Sequence, residues 1–384
     1  MQNKAKPILL DEEQRRRQRL RQLRNWAILL GVIALVVVLT VFISGLSSSG
    51  GSIRATSLPC YSHQDVTVFQ DGVLYYDGAS IHFVNAGGGI EWSYPVGAGA
   101  SFSVSDTHMI VWAGAQLSIV DAQGKSTFNR AMESSIQFAR IGSRYAAIIT
   151  GDELTPTLYV KDIQGAQVDF ETNLYDGMYI FDCGFYGNSD EYLWTLSYDF
   201  YNPSVTTIMH TYQVGQMNTG AVNIGEHLPS KVIYVNNLLN VFTTQQLYTY
   251  DYRGVQQTDG TMLVYGWQYL DHYVPSRGAA NILLVPTKQI TDTGSVTELR
   301  VLSSTLDRRY ALPSACVGAA IDNNRLFAIA PDYMYSGNVS SQRFYAHAIP
   351  LPDGRKVTGF VGLTNNGYAI VTSNTEVYSV SLPH

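Results

Sequence analysis

Cysteine is scarce in this chain of 384 residues, which contains three in total, Cys60, Cys183 and Cys316. An odd number of cysteines in a large domain cannot form a complete disulfide framework, and no C-x-x-C pair is present for metal or redox chemistry. Each cysteine lies in strand-like sequence. We therefore predict three small buried core residues, with a single bridge between two of them as the open alternative.

Catalytic and cofactor signatures are also missing. The sequence has no G-x-S-x-G elbow, no H-E-x-x-H pair, no P-loop and no G-x-G-x-x-G after a strand. The eight histidines are dispersed, and none stands at metal-ligand spacing from another. We accordingly predict no catalytic residue, no bound cofactor and no metal site, and a function other than that of an enzyme.

Positive charge is sparse outside the first 25 residues. Of the 25 Lys and Arg, eight lie in that segment, as do three of the 31 Asp and Glu, so the rest of the chain has a net charge of −11. A surface that binds nucleic acid needs a basic patch to release counterions. The acidic balance excludes nucleic acid as the expected partner and is compatible with a cationic partner or with none.

One long apolar run is present, residues 26–46, WAILLGVIALVVVLTVFISGL. It has no polar stripe, and about 20 apolar residues cross the roughly 30 Å of bilayer hydrocarbon as a helix. The eight basic residues all precede it, which predicts a cytoplasmic amino terminus in the plasma membrane. A cleaved signal peptide is the competing interpretation, but no A-x-A-like site follows the run, so we favour an uncleaved anchor.

Four segments follow from this interpretation. Residues 1–25 form a basic cytoplasmic tail, 26–46 a single transmembrane helix, 47–52 a Gly/Ser linker, and 53–384 an extracytoplasmic domain. The last of these consists of short alternating runs of Val, Ile, Tyr and Thr that are broken by Gly, Asn and Asp turns, which is the pattern of an all-β domain.

A hairpin signal recurs eight times in this domain: a strand, a polar turn, and a second strand that is often hydrophobic. The steps between successive turns range from 35 to 52 residues, which brackets the roughly 40 to 50 residues of a four-stranded propeller blade. The turns are centred on Asp71, Asp106, Gly142, Asn188, Asn236, Asp271, Asn323 and Asn365.

A second turn signal follows four of the third strands, at Asn85, Asp121, Asp162 and Asp251. Each has the spacing Asp/Asn-x-x-Gly, in which the side chain caps backbone N–H groups and the glycine supplies positive φ. We interpret the acidic residues Asp77, Asp121, Asp162 and Asp251 as turn formers and not as calcium ligands.

With two turn signals at one common period, the sequence resembles the repeats of quinoprotein-like (PQQ-like, WD40-like) β-propellers over roughly residues 60–382. The resemblance implies an eight-bladed propeller, with seven blades as the alternative if blade six merges with a neighbour. The last unit has three strands, and IRATSL at residues 53–58 is available as the fourth.

The quinoprotein enzymes bind a quinone cofactor and often carry adjacent cysteines over the axis, but no two cysteines are adjacent here. The resemblance therefore implies the fold and not dehydrogenase activity. The layout is also similar to single-pass, membrane-anchored propeller proteins of Gram-positive bacteria, which implies a place in the cell envelope.

Long loops mark the expected interaction surface. We predict long turns between the second and third strands of blade four (DFYNP), blade six (PSRGAAN) and blade seven (PDYMYSGNVSSQ), on one face of the propeller. Aromatic residues, Met and Arg are typical of binding surfaces. The candidate partner-binding rim for a protein or cell-wall component consists of Phe200, Tyr201, Tyr273, Arg277, Tyr333, Met334 and Tyr335.

Two other functions stay open at this point. A glycan-acting enzyme would need paired carboxylates, and the residues near second-strand ends are Asp152, Glu153, Asp199 and Asp332. A small-ligand sensor would need a deep pocket on the propeller axis.

Overall fold

The computed structural model describes residues 53–201, 203–217, 220–257, 261–275 and 278–383. Within these residues the strands form eight antiparallel sheets of four strands each. Blades one to seven follow chain order within each sheet, and blade eight combines three strands from the end of the chain with β1, Ala55–Tyr61. The prediction of an all-β, eight-bladed propeller is confirmed.

The strands of the first four blades are these. Blade one comprises β2 Thr67–Phe69, β3 Gly72–Tyr76, β4 Ser80–Asn85 and β5 Ile90–Pro95; blade two comprises β6 Ser101–Val104, β7 His108–Ala113, β8 Gln116–Asp121 and β9 Ser126–Ala131. Blade three comprises β10 Ile136–Ile141, β11 Tyr145–Asp152, β12 Thr155–Asp162 and β13 Gln167–Glu171; blade four comprises β14 Met178–Tyr186, β15 Tyr192–Asp199, β16 Thr206–Gln213 and β17 Gly220–Gly225.

The remaining blades follow the same plan. Blade five comprises β18 Pro229–Val235, β19 Leu238–Thr243, β20 Gln246–Tyr250 and β21 Met262–Leu263; blade six comprises β22 Trp267–Tyr273, β23 Asn281–Pro286, β24 Val296–Leu302 and β25 Asp307–Cys316, with a short helix α1, Thr287–Thr293, between β23 and β24. Blade seven comprises β26 Gly318–Asp322, β27 Arg325–Ile329, β28 Tyr333–Asn338 and β29 Phe344–Ala348; blade eight comprises β30 Gly359–Leu363, β31 Tyr368–Ser373 and β32 Glu376–Ser381.

The first strand of each blade is the innermost one, because first strands contact each other at most of the junctions between neighbouring blades, including β30 with β2. The antiparallel order then assigns every turn to one of two faces. The turn face carries the turns between first and second and between third and fourth strands. The connection face carries the turns between second and third strands and the links from blade to blade.

The ring closes through the predicted segment, since β1 pairs antiparallel with β32, with Ala55 opposite Val380 and Thr56 opposite Ser379. The observed strand begins two residues after the predicted one and continues to Tyr61. Closure between the two ends of the domain covers the edge that blade eight would otherwise expose.

The hydrophobic core lies between the blades. The buried apolar residues fall into clusters that each join two successive blades, including blades eight and one, where Leu58 and Cys60 pack with Val73, Ile370 and Val377. Each strand buries alternate side chains against the sheet in front and the sheet behind, so every blade stabilises its two neighbours. The three cysteines are free and buried in these clusters, as predicted.

The Asp/Asn-x-x-Gly turns form as expected. Asp162 Oδ1 accepts backbone N–H bonds from Gln164 at 2.9 Å and Ala166 at 2.8 Å, and Gly165 has φ 84°. The glycine also has no room for a side chain, since a Cβ would lie 1.8 Å from the Phe128 ring on the outer strand of the preceding blade. The turn residue is therefore fixed by both its backbone conformation and the contact between blades.

Seven of the eight predicted first hairpins are confirmed, and the one at Asp271 is wrong. Strand β22 runs through Asp271 to Tyr273 with a register shift after Tyr269, so β22 and β23 are the first and second strands of blade six. The long turn predicted between the second and third strands of this blade is misplaced for the same reason. The predicted long loop of blade seven is wrong as well, because β28 lies within it. The turn between β27 and β28 consists of three residues, Ala330, Pro331 and Asp332.

Candidate functional site

The predicted rim is divided by the structure. Phe200 and Tyr201 lie in the loop between β15 and β16 on the connection face and are 49% and 73% exposed. Tyr333 begins β28 at the same face of blade seven and is exposed. Arg277 lies outside the described residues.

Three other rim residues are placed differently from the prediction. Met334 and Tyr335 are buried in β28, where Met334 packs against blade eight and Tyr335 against the core shared with blade six. Tyr273 ends β22 at the first hairpin, and so lies toward the turn face. Of the described rim residues, Phe200, Tyr201 and Tyr333 are therefore the ones exposed on the connection face, and Tyr273, Met334 and Tyr335 do not lie on a common rim with them.

The apolar patch is a larger surface on the same face, formed by blades three to six. It comprises the exposed side chains Leu154, Leu174, Phe200, Tyr201, Val205, Leu228, Leu263 and Tyr265. These residues belong to second-to-third turns or to links between successive blades, with Leu263 ending the outer strand that leads into the last link. Exposed apolar residues that gather on one side of a protein indicate an interaction surface, whereas isolated ones do not.

The loops of the apolar patch are held in place by local bonds. Tyr201 donates its backbone N–H to Asp199 Oδ1 at 2.9 Å, and its ring covers Gly177, where a Cβ would lie 2.0 Å from Tyr201 Cε2. Gly177 in turn donates its N–H to the carbonyl oxygen of Leu154 at 2.7 Å. Blades three and four thus present their part of the patch as one fixed surface.

The links on either side of blade five are fixed in the same way. Thr207 Oγ1 donates to the carbonyl oxygen of His227 at 2.9 Å, directly before Leu228. Val264 donates its N–H to the Gln245 carbonyl oxygen at 2.9 Å, directly before Tyr265. A surface that is ordered before binding loses less conformational entropy when a partner docks.

A second candidate site, the axial pocket, is a cavity of about 790 Å³ between the inner strands of blades six, seven and eight. Its wall of small and apolar residues includes Ala319, Ala320, Phe360 and Gly362. Its carboxylate and imidazole side chains are Asp106, Asp271, His272 and Asp322. No Lys or Arg is among the described residues that line it, so the pocket is acidic.

Asp271 joins two blades inside the axial pocket. Its Oδ1 accepts the His272 N–H at 2.8 Å, and its Oδ2 accepts the Ile321 N–H of the next blade at 3.0 Å. Burial raises the pKa of Asp271, and the nearby Asp322 carboxylate raises it further, while the two N–H bonds oppose this shift. Burial also lowers the pKa of His272, whose Nδ1 lies 2.7 Å from the Tyr269 hydroxyl.

The carboxylates considered for glycan chemistry lie at the second-to-third turns of three different blades, three, four and seven. Asp332 forms an ion pair with Lys356 at 3.1 Å. Asp199 caps the loop of blade four, whereas Asp152 ends β11 and Glu153 begins the tight turn that follows it. The ranges that the structure describes also contain no group of three or more His, Cys, Asp or Glu placed to hold a metal ion.

The acidic turn residues do cap turns. Asp77 Oδ1 accepts the N–H groups of Ala79 at 2.8 Å and Ser80 at 2.7 Å, while its Oδ2 lies 2.9 Å from His82 Nε2. These bonds, with that to His82 the strongest, lower the pKa of Asp77 to about 2. Asp121 and Asp251 each accept two N–H bonds in the same manner as Asp162.

Comparison with solved structures agrees with this architecture. BamB from Moraxella catarrhalis is similar over 86% of this chain and 97% of its own, at 13% identity and a TM-score of 0.50. The chain has a β-propeller fold. Sqt1 from Saccharomyces cerevisiae is similar over 86% of this chain and 100% of its own, at 11% identity and a TM-score of 0.54. Identities this low show the fold alone.

Comparison at the level of sequence returned no match, either to a protein-family model or to a curated protein. The predicted membrane span, residues 26–46, lies outside the described residues. Among the residues that are described, no helix has the length and apolar character needed to cross a bilayer.

Proposed function

We propose that this protein is a membrane-anchored, extracytoplasmic β-propeller that acts as a non-enzymatic scaffold and binds a protein partner of the cell envelope through the apolar patch. The observation that carries the proposal is the gathering of eight exposed apolar side chains on one face of blades three to six. A stable interface buries about 800 Å² on each partner and depends on a few central aromatic anchors. Phe200, Tyr201 and Tyr265 are the residues that fit this role.

The proposal of a membrane anchor is based on the sequence. The uncharged apolar segment 26–46 and the eight basic residues before it support one spanning helix with a cytoplasmic amino terminus. The composition of residues 47–52, all Gly and Ser, favours a linker between this helix and the propeller. A partner on the same membrane could then reach the apolar patch at high effective concentration.

The test is proximity labelling in the native host, with the labelling enzyme fused after His384 in the full chain. Changing both Phe200 and Tyr201 to Ser should reduce labelling of the partner by about tenfold or more, as expected when central aromatic anchors are lost. Tyr345→Ser is the matched control, because Tyr345 is 65% exposed on the outer strand of blade seven, away from the apolar patch.

Equal labelling by the double variant and the parent chain would contradict the proposed binding surface. Protease added to intact cells should remove the fused enzyme, and protection of that enzyme would contradict the extracytoplasmic location. Equal expression and equal resistance of the purified chains to proteolysis establish that the variants are folded.

Binding of a small ligand is a second candidate function, favoured by the axial pocket. Its volume of about 790 Å³ lies in the range of ligand sites, and its acidic lining favours a cationic metabolite. A ligand at a hundredfold excess over its Kd should stabilise the folded chain by about 2.7 kcal/mol. Thermal unfolding with a panel of amines should therefore show a shift that Asp322→Asn weakens. If no amine changes the midpoint, this candidate function is wrong.

A further inference from the structure

A third cavity, the amide cavity, lies on the turn face between blades six and seven, apart from both sites described above. Its volume is about 720 Å³. Its lining comes from described residues of four turns, the first hairpin and the third-to-fourth turn of each of these two blades. Its polar side chains are Asn281, Ser303, Thr305, Arg308, Asn323, Asn324, Asn338 and Ser340.

Bonds between the blades fix the shape of the amide cavity. Arg308 on β25 of blade six donates from Nη1 to the Ser340 carbonyl oxygen of blade seven at 2.9 Å. Tyr310 on the same strand donates its hydroxyl to the Val339 carbonyl oxygen at 2.5 Å. Asn281 is buried and donates from Nδ2 to Asn324 Oδ1 at 3.3 Å. These contacts hold the polar groups in place before any ligand arrives.

The polar groups of the amide cavity that have no hydrogen-bond partner within the described residues are mainly donors. Asn338 uses its Oδ1 to accept the N–H of Ser340 at 2.8 Å and the Ser340 hydroxyl at 2.7 Å, so its Nδ2 is free within the described part of the chain. Asn324 Oδ1 likewise accepts a bond from Asn281, and Asn324 Nδ2 is free within the described residues. The bonds that Arg308 makes to carbonyl oxygens both start from Nη1, which leaves other N–H groups of its guanidinium.

The one charged side chain in the lining of the amide cavity is basic, whereas the chain beyond its basic tail is acidic overall. Arg308 is the one charged side chain among the described residues that line it, and no carboxylate is among them. The chain beyond its basic tail has a net charge of −11. Arg308 also has no ion-pair partner within the described residues. An unpaired guanidinium beside amide N–H groups and hydroxyls is suited to an oxyanion that also carries hydroxyl groups.

We propose that the amide cavity binds an anionic sugar, with the carboxylate or phosphate group on Arg308 and the amide of Asn338, and the sugar hydroxyls on Asn324 and Thr305. The free amide N–H groups donate to sugar hydroxyls, and the Thr305 hydroxyl can both donate to them and accept from them. The guanidinium gives the site its preference for anionic over neutral sugars. The site is independent of the partner surface on the opposite face.

Isothermal titration calorimetry on the full chain in detergent tests the proposal, with glucuronate, glucose 6-phosphate and glucose as probes. We expect at least one anionic probe to bind about tenfold or more tightly than glucose. The two anions separate a carboxylate ligand from a phosphate ligand. Equal affinities for all three probes, or heat from none of them, would overturn the proposal.

Asn338→Asp is the most informative variant. Aspartate keeps the Oδ1 acceptor that caps the turn at Ser340 and replaces the free Nδ2 by a negative oxygen. We expect it to weaken the anionic probe about tenfold or more while the midpoint of thermal unfolding stays unchanged. The matched control is Asn188→Asp, an exposed residue of the β14–β15 turn on the same face but away from the amide cavity.

Arg308→Met gives the second, independent measurement. It should remove the preference for the anionic probes over glucose. If both Asn→Asp variants lower the affinity equally, the effect comes from overall charge and the site is wrong. The site is also wrong if Arg308→Met, shown to be folded by its circular dichroism, retains the full preference for anions.

Discussion

Replacement of β1 by a Gly/Ser sequence of equal length is expected to abolish cooperative folding of the propeller. This strand supplies the outer edge of blade eight through its pairing with β32. It also buries Leu58 and Cys60 between blades eight and one. Each buried side chain contributes roughly 1.5–3 kcal/mol, and the lost strand hydrogen bonds add to this. The total of roughly 5 kcal/mol or more is comparable to the whole stability of an ordinary domain.

A single substitution provides a graded form of this test. Leu58→Ala should lower the free energy of unfolding by about 2–5 kcal/mol, since it leaves a cavity in a closed core. Tyr61→Ser, in the same strand, should change it by less than about 0.5 kcal/mol because Tyr61 is 51% exposed. Urea unfolding of the full chain in detergent, followed by far-ultraviolet circular dichroism, measures both. Similar losses from the two substitutions would show that β1 does not close the ring through its buried residues.

The blade pattern could be predicted from sequence because its signals are local. A polar turn between two alternating strands, followed by a side chain that caps its own turn as Asp162 does, needs no knowledge of the rest of the chain. The closing strand could be predicted because the last unit lacked one and the preceding segment was free. Each of these inferences depends on a few neighbouring residues and on counting.

The two errors arose where contacts between distant residues override local preference. Asp271 and His272 have turn-forming character, but the Asp271 carboxylate bonds to Ile321 of the next blade, and β22 continues through them. Gly337 has the character of a loop residue, yet it lies in β28 where a Cβ would be 2.8 Å from the Phe344 ring. Local propensity in strands is weak compared with such packing.

The candidate sites could be predicted only in part, because they too depend on the arrangement of residues that are distant in the sequence. Phe200 and Tyr201 stand in one conspicuous loop, and their exposure followed from the sequence. Leu154, Leu228 and Tyr265 are single apolar residues in separate turns. Only the folded propeller places them on the same face as that loop. The amide cavity likewise combines four turns from two blades. Assembly of this kind has no signature within any one segment.

Acid should destabilise the propeller through His210, which lies in β16 between Thr195 of β15 and Ala221 of β17. Its side chain is 6% exposed, and its Nδ1 has no hydrogen-bond partner within the described residues. The ring packs edge-on against Tyr175 at 5.3 Å between centroids. Burial lowers the pKa of His210 to about 4 from an ordinary value of 6.5. The folded protein therefore holds this imidazole neutral where the unfolded chain protonates it.

The sign of the effect follows from this order of pKa values. The stability linked to His210 is fully present above pH 6.5, where both states are neutral, and is lost as the pH falls from 6.5 to about 4. At pH 4.5 the loss from this residue alone should be about 2.5 kcal/mol relative to pH 7. Other groups titrate in the same range, so the quantity to measure is a difference between the parent chain and a variant.

His210→Leu removes the titrating ring and its unpaired Nδ1 and has a similar volume, so it should be close to the parent chain in stability at pH 7. At pH 4.5 it should be more stable than the parent by about 2.5 kcal/mol, measured by urea unfolding at both pH values. His63→Gln, at an exposed position, should follow the parent at both. Parallel losses in the parent and His210→Leu would mean that His210 is not kept neutral by burial, and acid sensitivity would then lie with the carboxylates.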